Sequence, residues 1–242
     1  PSLDASTHTP LLQIFQQFQE LQESAQMLLE ISNAQRQQTA PDLSSILTTW
    51  RERLPNRWED LPAWNDLVSW RNHMFSHINN VLKRFGGGDP DVTSVAMREM
   101  VWTNTRFAHV ARRQSLPEAC NSIINNIQSA ELLSGLPSVD RDDVFVKVRE
   151  QARTCLQLPS STSHGLELLQ QLDLDHLRKE QKSDVFLTKA ELLLAGLSAS
   201  ASSGVSGSID GGAESERVST ALATSVYISP KNAKAWLLWA RW

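Results

Sequence analysis

The sequence holds one tyrosine against eight tryptophans, and only two cysteines. Cys120 and Cys155 have no CxxC partner and lie in apolar, helix-patterned surroundings, which argues against a disulfide framework and for two buried, reduced thiols in an intracellular protein. No apolar run approaches the ~20 residues a spanning helix needs, and no secretory signal is present. Charge of neither sign dominates: a net −4 with 21% charged residues leaves no electrostatic footprint for nucleic acid or an anionic membrane. No window alternates with period two for long enough to claim a strand. Catalytic signatures are missing too: there is no GxSxG elbow, no phosphate-binding or dinucleotide glycine loop, and no Gly-rich loop, HRD or DFG of a protein kinase. These absences read as a non-enzyme without catalytic residues or cofactors.

What is present is helical periodicity nearly throughout. Thr9-Pro10 reads as cap and first position of a long helix with Leu11, Ile14, Phe15, Phe18, Leu21, Ala25, Leu28 and Leu29 as its apolar face. A shorter helix from Asp42 carries Ile46, Leu47 and Trp50. From Pro62 another presents Trp64, Leu67, Val68, Met74, Phe75, Ile78, Val81, Leu82 and Phe85, until Gly86-Gly87-Gly88 stops it and Asp89-Pro90 starts the next. Four of the eight tryptophans crowd into residues 50–70, which reads as large rings filling gaps between helices of unequal length, with a peptide-binding groove as the alternative. Later helices are expected over about 140–156, 165–172, 183–197 and from Glu214, with Pro230 ending the last before a final segment to Trp242.

The stretch Arg106 to Ile127 reads as a helical hairpin. Phe107 and Ala111 lie on the apolar stripe before the turn, and Ala119 and Ile123 on the one after it. Ser115 with Glu118 has capping-box spacing and Pro117 lies in the first turn. Helix pairs of this kind stack into α-solenoids. Pro230 followed six residues later by Trp236 matches the tetratricopeptide spacing. The fold class is therefore all-α, an α-solenoid of degenerate tetratricopeptide-like antiparallel helix pairs. Its expected organisation is a helical-repeat region over 1–197, a disordered Ser/Ala/Gly-rich insertion over 198–213, and continued repeats over 214–242. Pro1 in place of Met, and Trp242 inside a helical pattern, make the sequence read as a segment truncated at its C-terminal end.

Candidate chemistry is sparse. His73 and His77 are spaced i, i+4, but no glutamate of an HExxH motif accompanies them, and a zinc site would need Asp173, Asp175 or His176 as a third ligand. No metal site is assigned. Cys120 and Cys155 lie on apolar stripes, unlike activated nucleophiles. Arg106, Arg112 and Arg113 form the densest basic cluster and suit helix C-termini and inter-helix bridges, with an acidic-peptide dock as the alternative. Trp236, Trp239 and Trp242, three apart on the last helix, are candidates for inter-repeat packing together with Phe107, Ala111, Ala119 and Ile123.

Four stretches carry a family resemblance: Trp70-Arg71-Asn72-His73-Met74-Phe75, Phe107-Ala108-His109-Val110-Ala111-Arg112-Arg113-Gln114, Val144-Phe145-Val146-Lys147-Val148-Arg149-Glu150-Gln151 and Lys234-Ala235-Trp236-Leu237-Leu238-Trp239. In this order they resemble the FAT domain of phosphatidylinositol-3-kinase-related kinases, in particular the TRRAP-type pseudokinase branch. The resemblance spans roughly Trp64 to Trp242, and Ala240 stands where glycine is expected. It implies a tetratricopeptide-like solenoid wrapped around an adjoining kinase-like domain that has lost catalysis. It further implies a nuclear scaffold of SAGA-type histone acetyltransferase complexes that receives transcription activators, with protein partners only and no direct nucleic-acid or membrane contact. The rival readings are the FAT regulatory domain of an active kinase of the same superfamily, and an unrelated tetratricopeptide adaptor.

Overall fold

A computed structural model of the chain describes residues 5–37, 39, 41–55, 58–85, 90–134, 141–202 and 211–242. Among these residues the regular structure is wholly helical: α1 (Ala5–Gln37), α2 (Ser44–Glu52), α3 (Leu61–Phe85), α4 (Pro90–Arg113), α5 (Pro117–Ser134), α6 (Arg141–Cys155), α7 (Thr162–Gln170), α8 (Lys179–Ser202), α9 (Gly211–Ile228) and α10 (Ala233–Arg241), with a 3-10 turn over Pro159–Ser161. The fold is all-α, with helices where the apolar periodicity predicts them, though α1 and α8 are longer than predicted. The expected glycine stop at 86–88 and the cap at Asp89 lie outside the described residues. Of the Ser/Ala/Gly run, Ser198 to Ser202 continue α8 and Gly211 onward starts α9, while 203–210 lie outside the described residues.

Local chemistry explains several helix ends. Asp42 accepts hydrogen bonds from the hydroxyl and backbone N–H of Ser44, which opens α2 and holds the Asp42 carboxyl below its ordinary range. α8 begins earlier than the pattern predicts because the Gln181 side chain reaches back to the N–H of Arg178 at 2.9 Å, the reverse half of a capping box. α1 also begins upstream of the predicted Thr9-Pro10 start, at Ala5.

The α4–α5 turn corrects the expected cap. Ser115 adopts φ 62°, in the left-handed region, and the Leu116 and Ser115 N–H groups donate to Ala111 and Arg112 carbonyls at 3.0 Å each. This is the double bond pattern of a Schellman stop, so Ser115 ends α4 instead of capping α5. α5 starts with Pro117 at its first position, where no N–H is needed.

The chain divides into two compact units, residues 1–110 with 127–139 and residues 111–126 with 140–242. In the first, α3 and α4 run antiparallel, fastened by reciprocal amide hydrogen bonds between Asn72 and Asn104 (2.7 and 3.0 Å). Their core joins Met74, Phe75, Ile78 and Leu82 to Met27 and Ile31 of α1 and Leu47 and Trp50 of α2. Trp50 meets Phe75 edge-on at 5.6 Å, a favoured aromatic geometry.

In the second unit α8 and α9 are antiparallel and in close contact. Ser183, near the start of α8, and Ser225, near the end of α9, donate to each other's backbone carbonyls at 2.9 and 2.8 Å. Small side chains at this crossing let the backbones approach, and Val218, Leu222 and Val226 fill the core beside it with Leu187 and Leu193. A second apolar cluster joins α6, α7 and α8 through Phe145, Cys155, Leu169, Val185 and Leu192. Antiparallel neighbours of this kind are the repeat element of a tetratricopeptide-like α-solenoid.

Candidate functional site

The most elaborate polar arrangement is structural. α1 buries a stripe containing Glu20, Glu23, Ser24, Met27, Ile31 and Ala34. On α3, Arg71 is 1% exposed and forks onto Glu20, which is fully buried. The same guanidinium donates to the Trp50 and Arg53 carbonyls at 2.8 Å each, and these are C-terminal carbonyls of α2 that no helical N–H can reach. Arg71 thus closes a helix end while pairing a carboxylate, with its charge favourably placed on the α2 dipole. It also lies over the Trp50 ring at 5.2 Å.

Glu23 is one turn along α1. Burial alone raises its pKa, but hydrogen bonds from Arg53 (2.6 and 2.9 Å), Gln19 (3.0 Å) and the Trp50 indole (2.8 Å) outweigh it, so the carboxyl titrates below its ordinary range. Arg51 forks onto Glu99 of α4 and covers the Trp102 ring at 5.0 Å.

This geometry turns α1 relative to the predicted face. Leu11, Ile14, Phe15, Phe18, Leu21 and Leu29, expected to face a core, are 47–69% exposed. The face carrying Glu20 and Glu23 is the one packed on α3. The sequence signal was available: Arg71 falls on the same α3 stripe as Leu67, Val68, Met74, Phe75 and Ile78, and an arginine there requires a buried acidic partner.

In the second unit Arg112 of the basic cluster donates to Glu150 on α6 at 2.8 Å, as an inter-helix bridge, while Arg106 (first unit) and Arg113 are exposed. Arg149 and Arg153 of α6 converge on Asp184 of α8. Neither cysteine is poised for attack: burial pushes both thiols up, and Cys120 lies 3.1 Å from the Thr154 hydroxyl. His73 and His77 are exposed, and among the described residues no three His, Cys, Asp or Glu side chains gather to hold a metal.

The candidate packing residues have different surroundings. Phe107 and Ala111 are buried, Ile123 is half-buried and Ala119 is exposed. Trp239 is half-buried against the α8–α9 core, and Trp236 stacks on it at 5.7 Å. Trp236 also closes the Pro230 spacing physically, because its indole N–H donates to the Pro230 carbonyl at 2.9 Å. Trp236 and Trp242 are 49% and 47% exposed. Beside them a shallow groove of about 500 Å³ runs between α9 and α10, lined by Ala223, Thr224, Val226, Tyr227 and Trp239. Among the described residues no helix is long and apolar enough to cross a membrane.

The FAT domain family matches residues 2–242. A relative from Saccharomyces cerevisiae, the SAGA complex/NuA4 acetyltransferase complex subunit TRA1, is 32% identical over 244 aligned positions that cover 96% of this chain and 6% of that protein. The transformation/transcription domain-associated proteins of Danio rerio and Homo sapiens are 27% and 26% identical, each over 99% of this chain and 6% of their own length. The chain spans about 6% of the length of these relatives.

Proposed function

The chain belongs to the FAT domain family, and from that premise we propose that it is a non-catalytic scaffold segment of a large nuclear transcription coactivator subunit. In this reading it serves SAGA-type histone acetyltransferase complexes, supports an adjoining pseudokinase domain and presents surface on which activators and partner subunits dock. The observation that carries it is the similarity to the yeast acetyltransferase-complex subunit along 96% of the chain. The physical character of the helices agrees. Several of their charged side chains fasten helix to helix, as in Arg71 with Glu20, Arg112 with Glu150, and Arg149 and Arg153 with Asp184. Among the side chains left to solvent are large apolar ones: the Leu11–Leu21 stripe of α1, and Tyr227, Trp236 and Leu237 at the α9–α10 end. Exposed patches of that kind are used for docking.

The test is affinity purification of the tagged full-length protein from nuclear extract, with mass spectrometry and a parallel phosphotransfer assay. Acetyltransferase-complex subunits without phosphotransfer are expected. Robust phosphotransfer in the absence of those subunits would instead identify the regulatory domain of an active kinase.

A further inference from the structure

We infer that Ser115 is a phosphoacceptor for a basophilic serine kinase, one that reads arginines two and three residues before the hydroxyl and an apolar residue after it. Arg112-Arg113-Gln114-Ser115-Leu116 has that order. Ser115 is the only serine or threonine of the sequence with arginine at both preceding positions. The inference goes beyond the scaffold reading and does not depend on it.

The α4–α5 turn presents the motif. Ser115 and Arg113 are exposed there, and Leu116 is 44% exposed, so the hydroxyl, one guanidinium and the apolar neighbour reach the surface together. The turn itself does not call for serine. Its left-handed φ of 62° suits glycine or asparagine better, and the bonds that make the stop run from backbone N–H to backbone carbonyl. The fold therefore leaves the choice of a hydroxyl at this position unexplained, and a phosphoacceptor role explains it.

A kinase cleft takes its substrate extended, so Arg112 and Arg113 must first leave the last turn of α4. Opening gives up the backbone bonds of Gln114, Ser115 and Leu116 and the 2.8 Å bridge from Arg112 to Glu150. Terminal turns of this kind open far more readily than whole domains. In the transfer, the Ser115 Oγ bonds to the γ-phosphorus of ATP as the bond from that phosphorus to the β–γ bridging oxygen breaks. ADP leaves with the electron pair, and the hydroxyl proton passes to the catalytic carboxylate of the kinase. The product brings about two negative charges to the corner where Arg112 ties α4 to α6.

Glu118, three residues after Ser115, would let an acidophilic kinase read the same serine. Two arginines against one glutamate favour the basophilic enzyme, because a cationic cleft that accepts acidic substrates is repelled by both guanidiniums.

The experiment incubates the full-length protein, and separately a synthetic peptide of residues 109–119, with magnesium and isotope-labelled ATP. The basophilic probe is the catalytic subunit of cyclic-AMP-dependent protein kinase, and a casein-type acidophilic kinase runs in parallel. Mass-spectrometric mapping locates the phosphate. The basophilic kinase should label Ser115 in both substrates, the peptide faster because the turn of the folded protein has to open first. Arg113→Gln should lower kcat/KM at Ser115 by ~10-fold, the scale of one lost charge-assisted contact, while Glu118→Gln changes it little. Ser115→Gly, which suits the left-handed turn, should lose this label with circular dichroism unchanged. Protein purified from its own cells under phosphatase inhibitors should carry phosphate on Ser115. Labelling of the peptide but not of the full-length protein overturns the inference, because the fold then hides the motif. Labelling that survives Arg113→Gln and falls with Glu118→Gln also overturns it, in favour of an acidophilic kinase. So does a Ser115 that carries no phosphate in cells whose basophilic kinases are active.

Discussion

Arg71 and Glu20 form an ion pair in which both side chains are almost wholly shielded from water, 1% and 0% exposed. Desolvating two charges is expensive, and their mutual attraction offsets it only when the remaining donors are also satisfied. Here they are, by the Trp50 and Arg53 carbonyls. Removing one partner should therefore be far worse than removing both. Arg71→Met or Glu20→Leu alone is expected to destabilise the first unit by ~3–5 kcal/mol, and the double variant by much less than the sum. Urea denaturation of the four proteins in the cycle measures this; simple additivity would show that the pair is not coupled.

Two glutamates should respond to pH with opposite signs. Glu23 titrates lower in the fold than its ordinary 4.5, so the unfolded chain binds its proton more readily. Its contribution is complete above pH 4.5 and is lost as pH falls through the depressed folded value. Glu191 is the reverse: burial raises its pKa, with Arg153 only partly compensating. The unfolded chain ionises first as pH rises past 4.5, so stability declines until the folded pKa is passed. Glu191→Gln should raise the melting temperature at neutral pH and have little effect below pH 4.5. Melting curves across pH test it, and an equal shift at all pH values would count against the assignment.

Gly165 lies inside α7 although glycine costs a helix ~1 kcal/mol relative to alanine. The reason is space: an added Cβ would lie 2.9 Å from Leu192 Cδ2 and 3.0 Å from Cys155 Cβ. Leu192 is fully buried and Cys155 Cβ is fixed to the α6 backbone, so neither yields cheaply. Overpacking of this type costs ~1–3 kcal/mol, enough to outweigh the propensity gain. Gly165→Ala is expected to lower stability, and the same change should cost less in a Leu192→Ala background, where only the Cys155 contact remains. A stabilised Gly165→Ala protein would mean that α6 and α8 pack more loosely than described.

The helices were legible because each carries a long apolar period, and the all-α class follows from that alone. Which side of α1 faces inward was not. Its two stripes compete, one rich in Leu and Phe and one holding Glu20 and Glu23, and hydrophobicity favours the first. The second is packed because Arg71 and Arg53, far away in sequence, convert its carboxylates into partners. Long-range polar pairing of this kind leaves no local pattern, except an arginine in the wrong place on α3. The Ser183–Ser225 crossing is hidden for the same reason: serines look like surface until two helices meet over them. In contrast, the Pro230–Trp236 spacing was readable, since the two residues are six apart in sequence and meet in a local hydrogen bond.

Ser115 offers a direct choice between two local readings of one turn. Sequence spacing makes it the cap of α5, with Glu118 completing a capping box. The structure instead places it at the left-handed stop of α4, with φ 62°. The two readings predict opposite outcomes for Ser115→Gly. Loss of a capping serine to glycine costs a few tenths of a kcal/mol. Relief of a left-handed non-glycine residue gains ~1 kcal/mol, reduced by the greater freedom glycine gives the unfolded chain. Ser115→Gly should therefore be neutral to stabilising, and Ser115→Val clearly destabilising, because a β-branched side chain tolerates positive φ poorly. Glu118→Ala should be nearly silent, because no capping box depends on it. Thermal denaturation of the three variants separates the readings, and destabilisation by both Ser115→Gly and Glu118→Ala would return the turn to a capping box.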